Sequence, residues 1–269
     1  MVIVGLGQAG KEIAKLFKPH SQYKIIILDE NDGMDYQTSV EAYDAQPVKI
    51  SKRGLKKHEK GILFVCGSGK VAGASLRVLE ALTDIQMDVF YIVPDLEFCS
   101  REERRRHRVH FNVLQEYARS GKIKNIILAS NKEMLRMAGT GPISRYYEKV
   151  NFYIYNLIQN ILYCQHTKPE FGQIQNTKEI SRITTFGYGD MESEGENLLF
   201  PLDNITETSY LYNIDEEDID NDPNIMPQIQ QMIRDNKEQG RETSYAIWKA
   251  SDHNLFYSIH HTHFIQEDK

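Results

Sequence analysis

Two glycine-rich segments have the residue types and the placement to hold a phosphate. The first is Gly5-Leu6-Gly7-Gln8-Ala9-Gly10, and the second is Cys66-Gly67-Ser68-Gly69-Lys70-Val71-Ala72-Gly73. Each follows a short apolar run typical of a strand and precedes a segment with helical periodicity. Glycine lets backbone N–H groups approach a phosphate closely, and the N-terminus of a following helix favours negative charge. Together the two segments predict a nucleotide whose phosphates are bound from two sides.

The first segment also admits a different interpretation. Gly5, Gly7 and Gly10 fit the GxGxxG fingerprint of dinucleotide-binding domains. Asp29 or Glu30 follows the next apolar run, where the ribose-binding acid of such domains belongs. An NAD-dependent oxidoreductase with a Rossmann domain is therefore one alternative. A dehydrogenase does not require the second glycine segment, and that segment is not a P-loop, because no Ser or Thr follows its lysine.

The first half of the chain alternates strand and helix signals. Apolar runs predict strands at 2–4, 24–28, 62–65, 89–93 and 125–129, with helical patterns between them and a further short strand at 47–50. Continuous apolar strands alternating with helices are typical of a parallel sheet covered on both faces. We therefore expect an α/β fold, with a doubly wound parallel sheet forming a nucleotide-binding domain over residues 1–142.

The second half has a different character. A helical pattern from residue 143 places Val150, Ile154 and Leu157 on one face, and a turn signal follows it at 168–172. Strand patterns then dominate, with one clear helix at 226–235. These patterns predict a long central helix and connection over 143–171, followed by a smaller α+β domain over 172–269.

Composition limits the possible partners and the location. The chain has 269 residues, and its 32 basic and 38 acidic side chains give a net charge of −6, which argues against direct nucleic-acid binding. We expect no membrane span, because no apolar run reaches about 18 residues. Three cysteines without paired spacing indicate a reduced environment, and we expect a cytoplasmic protein.

Several short motifs occur in an order that resembles the FtsZ/tubulin superfamily. Residues 5–10 stand at its opening GxGxxG-like loop, 67–73 at its GGGTGTG-type signature loop, and 52–55 at its T-R-G-L loop. Asn131 lies in a segment similar to I-P-N-D-R-L, and Asn151 fits the start of the central helix, where the family places a guanine-reading side chain. Residues 171–176 are similar to P-G-Q-L-N, and 210–214 resemble V-L-V-N-I. The resemblance covers nearly the whole chain and suggests a shortened, divergent, phage- or plasmid-type member.

The resemblance implies GTP or GDP as the ligand, with Mg²⁺ as a further candidate. The implied nucleotide-binding residues are Gly5, Gly7, Gln8, Ala9, Gly10, Gly67, Ser68, Gly69, Lys70, Val71, Ala72, Gly73, Asn131 and Asn151. No protein residues are assigned as metal ligands. Family membership also implies head-to-tail self-association, in which residues 173–179 of one copy meet the nucleotide of the next.

The catalytic acid of the family has no clear counterpart in this chain. Thr177 stands at the usual Asp position of the loop that activates water in the neighbouring copy. Glu179 is the nearby carboxylate and is therefore the candidate catalytic residue. We expect weak or absent GTP hydrolysis. A further alternative is a degenerate tubulin-like scaffold without nucleotide, which Lys70 and the charged residues 56–59 favour.

Overall fold

The computed structural model describes residues 1–30, 42, 48–139, 142, 145–191, 195–236, 240–250 and 254–268. The chain forms two compact units. The first comprises Met1–Tyr155 together with Ile265–Lys269, and the second comprises Asn156–Phe264.

Five parallel strands form the sheet of the first unit. They are β1 (Val2–Leu6), β2 (Lys24–Leu28), β3 (Lys60–Cys66), β4 (Gln86–Val93) and β5 (Asn125–Ser130). Their order is β2-β1-β3-β4-β5. Every residue of β1 is buried, as are the five central positions of β3, which explains why these strands appear in the sequence as unbroken apolar runs.

Helices connect these strands and continue the chain. They are α1 (Gly7–Leu16), α2 (Ser75–Ala81), α3 (Arg101–Arg119), α4 (Asn131–Ala138) and α5 (Tyr146–His166). Right-handed crossovers in this strand order place α1 on one face of the sheet and both α2 and α3 on the other. The α/β class with a doubly wound parallel sheet is therefore confirmed. The long helix α5 begins in the first unit and ends in the second.

The start of α3 shows how the sequence fixes a boundary. Ser100 Oγ accepts a hydrogen bond from the Glu103 amide at 3.2 Å, and the Glu103 carboxylate accepts one from the Ser100 amide at 2.8 Å. This reciprocal capping box satisfies two amides that the first turn of the helix leaves without partners. The capping box explains why α3 begins at Arg101.

The second unit is a mixed sheet with two helices. Its elements are β6 (Phe171–Gln173), β7 (Ile183–Asp190), β8 (Asn197–Leu198), β9 (Glu207–Asp215), α6 (Glu216–Asn221), α7 (Ile225–Asp235), β10 (Glu242–Ala250) and β11 (Leu255–Thr262). The strand order is β7-β11-β9-β10-β6, with β8 beside β7. Strands β9 and β10 are parallel, and the other pairs are antiparallel. Tyr212, Ile229, Ile247 and Phe256 belong to its core, and the unit has the expected α+β character.

Some elements differ from the sequence-based expectation. The described part of the strand predicted at 47–50, residues 48–50, is not a strand, and Pro47 lies outside the described residues. The apolar residues Val48 and Ile50 alternate as in a strand, but residues 48–50 pair with none of the strands in the described ranges. Strands β6 and β8 and helices α4 and α6 were not predicted. None of the helices in the described ranges combines the length and the apolar character needed to cross a membrane.

Candidate functional site

The carboxyl ends of the five parallel strands lie at one edge of the first unit's sheet. Leu6 at the end of β1 pairs with Leu28 of β2 and with Val65 of β3, and Val93 of β4 pairs with Ser130 of β5. In this strand order the topological switch point lies between β1 and β3, and ligands of doubly wound sheets bind outside the strand ends at that point. The two glycine-rich segments follow these two neighbouring strands.

Two glycines of the first segment serve packing. A methyl group on Gly5 would overlap the carbonyl oxygen of Gly10, and one on Gly10 would overlap the carbonyl oxygen of Phe64. Helix α1 therefore packs against β1 and β3 at a distance that only glycine allows. Gly7 differs, because its φ of +71° requires the left-handed conformation at the start of α1. No side chain caps this N-terminus, so its first amides point to the edge where the strands end.

The two glycine-rich segments approach each other at the switch point. A Cβ atom on Gly7 would lie 3.3 Å from Cγ2 of Val71. The Val71 side chain is buried, because it packs against the first segment. It does not cover the ends of the strands. The sequence-based prediction that phosphates are approached from two sides requires this juxtaposition of the segments.

The second segment has both bonded and unbonded amides. Gly67 donates to the Ile92 carbonyl at 2.9 Å, and Gly69 donates to the Cys66 carbonyl at 3.0 Å. In the described part of the chain, the backbone N–H groups of Ser68, Val71 and Gly73 have no hydrogen-bond acceptor. Amides of buried segments normally have a partner, so these three groups fit the donors of an anion-binding loop.

Charged side chains flank the same edge. The Lys70 ammonium is exposed and lies 3.6 Å from a carboxylate oxygen of Glu30, which follows β2. The Lys11 ammonium lies 3.4 Å from a carboxylate oxygen of the buried Asp29. Both acids proposed as ribose ligands of a dehydrogenase thus have a lysine beside them. The edge carries two ammonium groups suited to a phosphate, and the pairing of Asp29 gives no support to the dinucleotide interpretation.

Two buried side chains, Tyr91 and His107, pack against the second glycine-rich segment. The Tyr91 hydroxyl lies 2.9 Å from Nδ1 of His107, and neither side chain is exposed. A methyl group on Gly67 would overlap the Tyr91 hydroxyl. Burial lowers the pKa of His107 to about 4 and raises that of Tyr91 well above its usual range, so both groups are neutral near pH 7. Sequence reasoning missed this pair, since His107 lies in a run of arginines and Tyr91 in an apolar strand.

The two candidate asparagines lie on helices of the first unit. Asn131 is the first residue of α4, directly after β5, and therefore at the same edge as the glycine-rich segments. Asn151 is half-buried on α5, one turn before Tyr155, whose hydroxyl lies 2.6 Å from Nε2 of His20 beyond the end of α1. Residues four apart share a helix face, so Asn151 lies on the face that meets the residues directly after α1. The contacts of the described residues do not join either asparagine to the glycine-rich segments, and their roles stay predictions.

Glu179 lies in the second unit, on the exposed segment between β6 and β7. Arg182 Nε donates to its backbone carbonyl at 2.6 Å, and its carboxylate has no partner among the described residues. Thr177, at the position where an acid was expected, lies with its hydroxyl 3.3 Å from Nε2 of His261. The Lys178 amide donates to a carboxylate oxygen of Glu207 at 2.9 Å. The segment is thus anchored to the sheet, and the catalytic role of Glu179 stays a prediction.

The strand order, the glycine-rich segments at its switch point and the mixed second unit define a two-domain α/β fold of the doubly wound type. No protein-family model matches the chain, and no curated protein matches its sequence. Solved structures do match, and they give the chain the fold of the tubulin/FtsZ superfamily.

Three of these structures show the extent of the similarity. A TubZ of type III plasmid segregation is 15% identical with a TM-score of 0.70, covering 98% of this chain and 88% of its own. CetZ2 from Haloferax volcanii, in a GTPγS-bound protofilament, is 12% identical with a TM-score of 0.68, and the match covers 97% of this chain and 92% of the CetZ2 chain. An empty FtsZ dimer from M. jannaschii is 10% identical with a TM-score of 0.63, and the match covers 97% of this chain and 87% of the FtsZ chain.

Proposed function

We propose that this protein binds GTP or GDP at the edge where its two glycine-rich segments meet, and that it self-associates head to tail. The observation that carries the proposal is the approach of Gly7 to Val71 at the switch point, beside amides that lack acceptors. Backbone donors from both segments would hold the phosphates, and Lys70 would supply positive charge. Mg²⁺ would accompany the phosphates, as it does in most nucleotide sites.

The choice of guanine as the base rests on one of the matching structures. The matching CetZ2 structure contains GTPγS, which favours guanine over other bases. Asn131 and Asn151 are the side chains proposed to contact guanine or its ribose, because an amide both donates and accepts hydrogen bonds. Asn131 lies at the strand ends, and Asn151 lies on the face of α5 that meets the residues directly after α1.

The experiment that tests nucleotide binding begins with the freshly purified protein. It is denatured, and the released nucleotide is identified by chromatography against GTP, GDP, ATP and NAD standards. We expect guanine nucleotide. NAD would overturn the proposal in favour of an oxidoreductase, and a protein that is empty and also fails to bind added GTP would be a scaffold.

A pair of matched variants links binding to the proposed site. Gly7→Ala forces a non-glycine residue into a φ of +71° at the switch point, and Gly240→Ala does the same at +88° in the second unit, where a methyl group meets nothing within 4 Å. Each substitution costs about 1 kcal/mol of backbone strain. We expect Gly7→Ala to weaken GDP binding about tenfold or more and Gly240→Ala to leave it unchanged. Equal affinities would show that the nucleotide binds elsewhere.

We propose weak or absent hydrolysis because of the residues at 177 and 179. Thr177 offers a hydroxyl engaged with His261 in place of a carboxylate that orients water. Glu179 is exposed, and it would contribute the acid only if head-to-tail association brought it to the nucleotide of another copy. Turnover of GTP should then depend on protein concentration, because the site would be completed by a second molecule.

Self-association is proposed on the same fold-based support. The matching CetZ2 structure is a protofilament, and a heterologous contact that does not close continues into a filament. Light scattering after addition of GTP or GDP tests this, with the nucleotide-free protein as control. We further propose a cytoplasmic location, which the three free thiols support, and a role among phage- or plasmid-type filament proteins.

A further inference from the structure

The residues 265–268, here called the strap, return to the first unit after the last strand of the second. The Gln266 amide donates to Oε1 of Gln115 on α3 at 2.8 Å, and Nε2 of Gln115 donates to the Gln266 carbonyl at 3.1 Å. Both glutamines are buried. Two reciprocal hydrogen bonds in a buried setting fix the strap against α3.

The strap places a carboxylate beside His107. Oδ2 of Asp268 lies 3.5 Å from Nε2 of His107, a nitrogen that is buried and has no well-aligned hydrogen bond within the described ranges. With the proton on Nε2, His107 faces the carboxylate with its N–H and accepts the Tyr91 hydroxyl proton at Nδ1, 2.9 Å away. One tautomer therefore satisfies both contacts and links the strap to β4.

The Tyr91 and His107 side chains also pack against the second glycine-rich segment. A Cβ atom on Gly67 would lie 2.6 Å from Nδ1 of His107 and would overlap the Tyr91 hydroxyl. The ring of His107 also packs on Phe111 with 5.2 Å between centroids. Close-packed buried groups do not move independently, so the positions of the two rings set the position of the Gly67 backbone.

We propose that Asp268 and His107 are positioning residues for the second glycine-rich segment, and that the strap thereby tunes the phosphate part of nucleotide affinity. The proposal rests on the proposed function, because it assigns phosphate binding to residues 67–73. The polar contacts described for the strap go to Gln115 and His107, and His107 lies beside the second segment, so we expect its effect on the phosphate contacts.

The test compares Asp268→Ala with Glu267→Ala, which removes the neighbouring exposed carboxylate from the same strap. Tyr91→Phe is a second variant, since it deletes only the hydroxyl that contacts His107 and lies beside Gly67. Affinities for GDP and for guanosine are measured by competition against a fluorescent GDP derivative. We expect Asp268→Ala, which removes the carboxylate facing Nε2 of His107, and Tyr91→Phe, which removes one hydrogen bond, each to weaken GDP binding about three- to tenfold. Guanosine affinity should be unchanged. Glu267→Ala should match the wild type.

A second readout does not depend on nucleotide. Cys66 precedes Gly67 and is partly exposed, as is Cys99, whereas Cys164 is buried. In a Cys99→Ser background the rate of thiol modification therefore reports on Cys66. We expect Asp268→Ala to raise this rate severalfold and Glu267→Ala to leave it unchanged.

The outcomes separate the two proposals. If no variant and no wild-type protein binds GDP while the Cys66 rate still rises in Asp268→Ala, the proposed function fails and the positioning role survives. If wild-type protein binds GDP, and Asp268→Ala changes neither the GDP affinity nor the Cys66 rate, the positioning role is overturned. An equal loss of GDP and guanosine affinity would also overturn it, because that result indicates general destabilisation.

Discussion

Two buried histidines should make this protein sensitive to mild acid. His107 in the first unit is fully buried, and His261 in the second is 8% exposed. Burial is the main cause that lowers the pKa of each to about 4. His261 is further surrounded by hydroxyl groups, with Thr184 Oγ1 3.0 Å from its Nδ1. Both side chains are therefore neutral in the folded protein and gain a proton readily only when it unfolds.

The sign and size of the effect follow from proton linkage. The unfolded histidine has a pKa near 6.5, so between pH 6.5 and pH 4 the unfolded state binds more protons than the folded state. Stability is complete above pH 6.5 and falls as the pH falls through this window. For one histidine the loss between pH 7.5 and 5.0 is about 2 kcal/mol, and it reaches about 3 kcal/mol below pH 4. The two sites lie in different units, so their contributions should add.

Urea unfolding at pH 7.5 and 5.0, followed by circular dichroism, measures this loss. The variant His261→Gln keeps a side chain that bonds hydroxyls but does not titrate, and it should lose about 2 kcal/mol less than the wild type over the same interval. His107→Gln should behave in the same way. His166→Gln is the control, because that side chain lies on the exposed surface of α5. If His261→Gln and His166→Gln lose the same free energy as the wild type, the neutral buried state of His261 is wrong.

Three further predictions concern packing, capping and catalysis. Gly10→Ala should prevent folding, because its methyl group would overlap a β3 carbonyl. Gly139→Ala has open space around it and should lower the free energy of unfolding by only about 1 kcal/mol. The yield of folded protein and the melting temperature distinguish the two variants. Ser100→Ala removes the capping box of α3 and should lower the free energy of unfolding by about 1 kcal/mol in urea titrations. Thr177→Asp should raise GTP turnover about a hundredfold if this segment meets the nucleotide of another copy. Gln175→Asp, on the same exposed segment, should leave turnover unchanged. Equal rates for the two variants in a phosphate-release assay would contradict the role of position 177.

Much of the first unit could be predicted from the sequence because its signals are local. The residues Ile25 to Leu28 form an apolar run between the polar residues Lys24 and Asp29, and the strand predicted at 24–28 has the observed bounds. The helix Arg101–Arg119 begins at a capping box that is visible in the sequence. The placement of glycine-rich segments after β1 and β3 was also predictable, because each lies between a strand and a helix. Their convergence follows only from the strand order, which depends on long-range pairing.

The remaining features depend on contacts that no local pattern contains. Strand β6 has three exposed residues and exists because it pairs with β10. The pairing of Tyr91 with His107 depends on how α3 lies across β4, and the strap adds Asp268 from the far end of the chain. The sequence also does not distinguish glycines that are required for packing from glycines that are proposed to bind phosphate.

That last distinction has an evolutionary consequence. Gly5 and Gly10 are required by the contact of α1 with the sheet, so selection for folding alone would preserve them in a descendant that no longer used any nucleotide. A Cβ atom on Gly7 would lie 3.3 Å from a Val71 methyl group, and its φ of +71° would add about 1 kcal/mol of strain, with no comparable backbone overlap. In a lineage that abandons its ligand, Gly7 should drift first while Gly5 and Gly10 persist. In such a fingerprint the outer two glycines would therefore be kept by the fold alone, whereas loss of the middle one would accompany loss of the proposed ligand.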